Sequence, residues 1–499
     1  MSKTISLRVS GLSKIRDVNP KLMSYNVEMT EVTGGTFWKA YTKAQVEGKE
    51  EFPKINGFQG MQDIMQVYPP INLYNEKLRK LAKAFGPVWV RVSGTWATKT
   101  YYDLENKTNG VIPEGYQSVL TKEQWQGVLD FVNAIDAKLL VSVNNCEGLH
   151  KASEPFPTHQ AEKLFKYSKE NGHPIDASEF VNEPNMLAFS GLPNGYTGED
   201  YRRDQDAFFK WLKENYPNVL RVGPCTVAAE MGPEAGMDTS GLGGVFGNNL
   251  STDELLEGTV QPMDVYSYHY YNGISDRLMS VMPQMHWSPD STLSEPYLAV
   301  AEKCAKANVA PRDKYCPGAE MWVTESGDAG GGGDSWASTF MEVFRTLNEL
   351  GSFVKVTDGV IFHNTLASSA YGFLEHGTFD PRPNYFAVLL WTKLMGNEVF
   401  ESEIAVEEGA HVYAHSRKDG LDGKAYLVIN NSKENETEVT LPKEADLYLL
   451  SADFIRCETM KLNGRDLVLG ENDELPDLSP AKAEGKVILP PATIAFIVL

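Results

Sequence analysis

At 499 residues the chain is longer than one compact core organises, which points to one large domain and a smaller one. A hydrophobic content of 42% with 23% charged residues excludes a disordered chain, and a formal net charge of -21 argues against a nucleic-acid partner and against long-range capture of a highly sulfated polyanion. Five scattered cysteines without metal-ligand spacing give no zinc motif and no disulfide scaffold, and no apolar run is long enough to suggest a membrane span.

Residues 3–9 alternate weakly and suit a strand added to a sheet made elsewhere. The same stretch lacks an apolar leader, so no signal peptide is expected in it; a cytoplasmic protein, or a secreted one with its signal removed, fits equally. Leu22–Met29 reads as a first barrel-type strand. A long insert follows from about 30 to 72, and its Phe37, Trp38, Tyr41 and Phe58 suit the wall of a substrate cleft. Leu73–Phe85 reads as a helix and Val88–Val92 as a strand. Thr121-Lys-Glu-Gln124 resembles a capping box, and Trp125, Val128, Leu129, Val132 and Ile135 carry the helical stripe behind it. Further strands are predicted at 138–143, 178–183, 219–223, 263–269, 321–325 and 359–363, with helices over 157–171, 205–214, 294–306, 336–350 and 385–395. A loop rich in glycine and proline covers 223–247.

Eight strands alternating with helices predict an α/β fold, a (β/α)8 barrel with inserts, over residues 18–395. A doubly wound sheet is the alternative, but Gly330–Gly333 has no following Lys-Ser/Thr and is no phosphate loop. After 396 the period changes to two, with strands at 410–415, 425–429, 438–441, 446–450 and 493–499 and no long helix between them. A small accessory β-sandwich is expected from 396–499 together with 1–17.

The chemistry gathers at two strand ends. Ser178-Glu-Phe-Val-Asn-Glu-Pro184 ends an apolar strand in Asn182 and Glu183, and Pro184 stops the ladder. Met321-Trp-Val-Thr-Glu325 ends another in a carboxylate before a glycine-rich loop. Barrel enzymes keep catalytic groups at such ends, and two carboxyls are the simplest equipment for cleaving a glycosidic bond. Arg91 at a third strand end is a candidate ion partner for Glu325 or another acid, and His269 is a candidate orienting group or rim residue.

The Asn182-Glu183-Pro184, Trp322-Val-Thr-Glu325 and Ser267-Tyr-His-Tyr-Tyr271 segments resemble the heparanase-like glycoside hydrolases of family 79, as do Arg91–Thr95, Tyr371-Gly-Phe373 and Asp380–Tyr385. The resemblance covers nearly the whole chain. It implies a barrel with a β-sandwich and double displacement, with Glu183 as acid/base and Glu325 as nucleophile. It further implies Asn182 on the sugar 2-hydroxyl, and Asn26 and Glu28 on the terminal sugar. Tyr270 or Tyr271 would hydrogen-bond the nucleophile, with Tyr270 preferred. Gly331, Gly332 and Tyr371 would hold a uronate carboxylate, and Asp328 so close to an acidic sugar calls for an explanation. The expected substrate is a glucuronide, cut from the chain end by an exo-acting β-glucuronidase. The alternatives are internal cleavage of the heparanase or hyaluronidase kind, or a β-glucosidase or β-xylosidase on the same scaffold. No cofactor or metal is expected. A sugar-binding protein without turnover, and a metal-dependent hydrolase using His269 and His363, are the competing classes.

Overall fold

The computed structural model describes residues 3–227 and 249–499. Eight parallel strands close into a barrel in chain order: β1 (Met23–Glu28), β2 (Trp89–Ser93), β3 (Lys138–Val141), β4 (Ala177–Glu179), β5 (Leu220–Val227), β6 (Val265–Ile274), β7 (Met321–Gly330) and β8 (Ile361–His363). β8 pairs back onto β1, and helices cover the outside. The chain is a (β/α)8 barrel carrying a second, β-rich part. Strand lengths differ from the sequence reading. β4 stops at Glu179, four residues before Glu183, while β6 and β7 run on to Ile274 and Gly330. The glycine- and proline-rich loop expected over 223–247 lies, from 228 on, outside the described residues.

Local signals explain several elements. The helix Lys122–Ala134 starts at the expected capping box: Thr121 Oγ1 accepts from the Gln124 N–H at 3.2 Å, and Gln124 Oε1 accepts from the Thr121 N–H at 2.9 Å. Its buried face is Trp125, Val128, Leu129 and Val132. Inside the barrel, Trp89, Leu140, Ala177, Val222, Val265, Trp322 and Phe362 form an apolar cluster of their own. The Trp89 and Trp322 rings lie 5.0 Å apart. This plug fills the interior toward the strand N-termini, so a polar site is left at the C-terminal mouth.

The β-rich part has two sheets. The larger runs Lys14–Asp17, Met395–Phe400, His411–Arg417, Ala425–Asn430, Thr493–Val498 and Ala445–Ser451, with short strands at its far edge. The smaller pairs Lys3–Ser6 with Thr437–Thr440 and that strand with Lys486–Leu489. Ile5, Val412, Tyr426, Val428, Val439, Leu489 and Ile497 pack between them. The N-terminal residues thus contribute one strand to each sheet. This layer grips the barrel through the helix Phe340–Val356: a Cβ at Gly351 would collide with the Tyr413 ring, and the Tyr413 hydroxyl donates to Asn348 Oδ1 at 2.6 Å.

Candidate active site

Alternation along β2 sends Trp89, Arg91 and Ser93 inward, and along β6 it sends Val265, Ser267, His269 and Tyr271 inward. β7 needs a correction to do the same. Val323 pairs with Tyr268 and Glu325 with His269, so Thr324 is an extra residue, a β-bulge. Trp322 points inward below the bulge. Without the bulge Glu325 would point outward; with it, Glu325 shares the interior with His269.

Arg91 is the hub of the site. It is fully buried. Its Nε donates to both oxygens of Glu179 at 3.1 and 3.0 Å, and Nη2 donates to Glu179 Oε2 at 2.9 Å. Nη2 also donates to Asn182 Oδ1 at 2.8 Å, and Nη1 to Glu325 Oε2 at 3.2 Å. Burial works against its charge, and Glu179 and Glu325 more than offset that. Arg91 Nη2 also lies 3.3 Å from His269 Nε2. Guanidinium has only donors, so this ring nitrogen accepts, and the proton of a neutral His269 sits on Nδ1. Burial holds His269 down to about 4, hence neutral. Nδ1 then donates to Glu183 Oε1 at 2.9 Å.

An oxygen of Glu183 and one of Glu325 lie within 4.8 Å of each other. Their environments differ. Burial pushes Glu183 up to about 7, with Arg91 pulling the other way. Glu325 accepts from Arg91 and from the Tyr271 hydroxyl. Asn364 Nδ2 donates to the Tyr271 hydroxyl at 3.0 Å, to the Tyr371 hydroxyl at 3.1 Å and to Glu325 Oε1 at 3.3 Å. A cavity of about 310 Å³ opens above this floor, lined by Glu28, Glu183, Tyr271, Glu325, Asn364, Gly331 and Tyr371. Its outer walls are Phe37, Trp38, Met61, Met65, Trp96, Met186, Phe189, Leu278, Met282 and Met285. The insert therefore supplies part of the wall, through the hairpin Gly35–Trp38 with Met65–Tyr68.

Several expected positions differ. Tyr270, preferred for the nucleophile, points out of the barrel and donates to Asn272 Oδ1; Tyr271 takes that place because it shares His269's strand face. Asn26 does not line the cavity. It lies beneath, donating to the Thr324 carbonyl at 3.2 Å and to Asn364 Oδ1 at 3.3 Å. Gly332 is also off the lining: it packs on Trp38, where a Cβ would collide. Gly331 and Tyr371 do line the cavity. Asp328 turns away and accepts from the Asp334 N–H at 2.8 Å, which removes the conflict with an acidic sugar. Glu28 lines the cavity, and burial, then the charge of Glu325, pushes its carboxyl well above the ordinary carboxylate range. His363 is far from the pair in role: its Nε2 contacts the Tyr371 carbonyl at 2.7 Å.

Sequence reasoning missed Glu179 and Asn364. Glu179 had a usable signal, since it shares a strand face with Ala177 opposite Arg91; Asn364 had none beyond following a strand end. Among the described residues, two clusters have the donor types for a metal, Glu183–His269–Glu325 and Asp276–His286–Asp334. In the second, burial opposes the charge of His286, but Asp276 and Asp334 outweigh it and hold the ring at about 9. That imidazolium donates to Asp276 at 2.8 Å, and the same nitrogen lies 3.5 Å from Asp334 Oδ1.

A barrel with two carboxyls within this distance at its C-terminal mouth is the architecture of retaining glycoside hydrolases. Comparison with known proteins agrees. The profile of glycosyl hydrolase family 79, N-terminal domain, matches residues 67–351, and the chain belongs to that family. It is 25% identical over 484 residues to heparanase-like protein 1 of Arabidopsis thaliana, covering 86% of this chain and 85% of that one. It is 24% identical over 466 residues to baicalin-β-D-glucuronidase of Scutellaria baicalensis, covering 86% and 83%. Among solved structures, a 4-O-α-L-rhamnosyl-β-D-glucuronidase from Fusarium oxysporum superposes over 99% of this chain and 100% of its own, with a TM-score of 0.66 at 13% identity, a likeness of fold. The protein is a retaining glycoside hydrolase.

Proposed function

We propose that the chain hydrolyses β-linked glucuronic acid by double displacement. Glu325 attacks the anomeric carbon while Glu183 protonates the departing oxygen; Glu183 then takes a proton from the water that releases the sugar. The observation that carries this reading is the Glu183–Glu325 separation within 4.8 Å, close to the roughly 5 Å of retaining pairs, combined with opposite surroundings. Burial favours the protonated acid at Glu183, while Glu325 accepts hydrogen bonds from Arg91 and Tyr271. Asn182 is buried beside Arg91 and off the cavity lining; it accepts from that guanidinium, and its amide nitrogen is the donor proposed for a 2-hydroxyl.

For the uronate carboxylate, the Gly331 N–H forms no backbone bond to another described residue, and Tyr371 accepts from Asn364 while keeping its own proton to give. The upward shift of Glu28, caused first by burial and then by the charge of Glu325, reduces its repulsion of an acidic sugar. The heparanase-like relatives favour cleavage inside a glycan over the terminal cleavage expected from composition. One observation favours the terminal reading: no lysine or arginine lines the cavity among the described residues.

The test is hydrolysis of 4-nitrophenyl β-glucuronide beside the β-glucoside and β-xyloside. The glucuronide is expected to be preferred. Glu183→Gln is expected to lower kcat by about 100- to 10,000-fold, and Glu325→Gln to remove turnover. A glucoside preference would overturn the substrate while leaving the mechanism. Sizing the products from an unsulfated glucuronan separates internal from terminal cutting.

A further inference from the structure

Resting on the glucuronidase reading, we infer that the leaving-group side of the cavity is a subsite for an uncharged aromatic aglycone. The acid/base marks that side, because Glu183 must reach the departing oxygen. Met186 and Phe189 follow it directly in a winding turn: the Met186 N–H donates to the Glu183 carbonyl at 3.1 Å, and the Phe189 N–H to the Met186 carbonyl at 2.9 Å. Both side chains line the cavity and are only half-buried. Trp38, Met61, Met65 and Trp96 line it as well and are likewise half-buried, with Met282 and Met285 behind. Such apolar surface, left facing a cavity in an otherwise polar exterior, marks a binding wall.

The composition of the wall selects the ligand. Five methionines and two tryptophans line the cavity. Thioethers are adaptable and make favourable contacts with aromatic rings, and indole faces stack on them. A sulfate on the leaving group would be met best by a cationic partner. None of the described lining residues is Lys, Arg or His. The overall charge of -21 adds repulsion at long range. The polar groups are confined to the floor, where they serve the sugar.

The test compares wild-type kcat/KM on benzyl and methyl β-D-glucuronide. Their alcohols have nearly the same acidity, so the ratio reads aglycone binding rather than leaving-group chemistry. The benzyl compound is expected to be favoured by about 30-fold or more, within what a hydrophobic pocket discriminates. Met186→Ala and Phe189→Ala are expected to lower that ratio. A heparan-type oligosaccharide, sulfated or not, is expected to be the poorer substrate. A benzyl-to-methyl ratio near one, or preference for the sulfated oligosaccharide, would overturn the inference. The same pair as β-glucosides keeps the two readings apart: a high benzyl ratio on glucosides with no glucuronide turnover would retain the subsite and reject the sugar.

Discussion

Arg91 is a single buried cation that touches Glu179, Asn182, His269 and Glu325, so it fixes the geometry of both catalytic carboxyls. Glu179 is equally buried and holds the guanidinium from below. Arg91→Met leaves Glu179 uncompensated in the barrel interior. The expected cost is about 3–5 kcal/mol, as for other broken buried pairs, read as a lowered denaturant midpoint together with lost turnover. At Glu183 the balance is reversed, since burial holds its acid form up to about 7. The protonated form is the one that donates in the first step, so kcat/KM is expected to fall as pH rises through about 7. Linkage gives a second outcome. In the unfolded chain Glu183 ionises near its ordinary value of 4.5, whereas in the folded chain it holds its proton to about 7. The folded state therefore binds more protons between those values, and stability attributable to this residue falls as pH rises across that window. Glu183→Gln still accepts from His269 Nδ1 but carries no charge. It is expected to be more stable than wild type at pH 8, by on the order of 2 kcal/mol, with the difference vanishing near pH 4.

Strand parity decides what each barrel strand shows to the substrate. His269 and Tyr271 share the inner face of β6, and Tyr270 faces out toward Asn272. Tyr271→Phe removes a donor to Glu325 and is expected to lower kcat by about 10- to 100-fold, while Tyr270→Phe should stay within about two-fold; parallel kinetics on one aryl glucuronide read both. The eight barrel strands were legible as short apolar runs between helical stripes, and the β-rich part as a change of period. That Glu183 and Glu325 would meet was legible because each glutamate follows such an apolar run. What could not be read were the bulge at Thr324 and the early end of β4, for neither leaves a mark in residue type. Both depend on how neighbouring strands register in the closed barrel. Asn26 shows the same limit. Its place on β1 was read correctly, but only the pairing of strands reveals that Asn364 stands between it and the cavity.

At the scale of the whole molecule, the β-rich part is wired to the cavity walls. Arg456 donates to the Val46 and Gln45 carbonyls at 2.7 Å and to Ser335 Oγ at 3.0 Å. Gln45 and Val46 belong to the insert whose hairpin carries Trp38 and Met65; Ser335 lies just past the glycine run after Glu325. Arg277 ties the same two segments from the barrel side, donating to the Lys39 carbonyl at 2.9 Å and the Gly333 carbonyl at 2.8 Å. One arginine from each part thus clamps the insert over the site, and neither reaches the catalytic pair. Arg456→Ala removes the side-chain donor to the Val46 carbonyl and one of the donors to the Gln45 carbonyl, which keeps the Gly48 N–H, and so loosens the outer wall while leaving the Arg91 network intact. The expected result is a KM for benzyl β-glucuronide raised by about 3- to 10-fold with kcat nearly unchanged, the signature of lost uniform binding. KM for methyl β-glucuronide should move much less, because that substrate makes little use of the wall. Equal effects on both substrates, or a fall in kcat alone, would mean that the β-rich part acts on the catalytic floor instead.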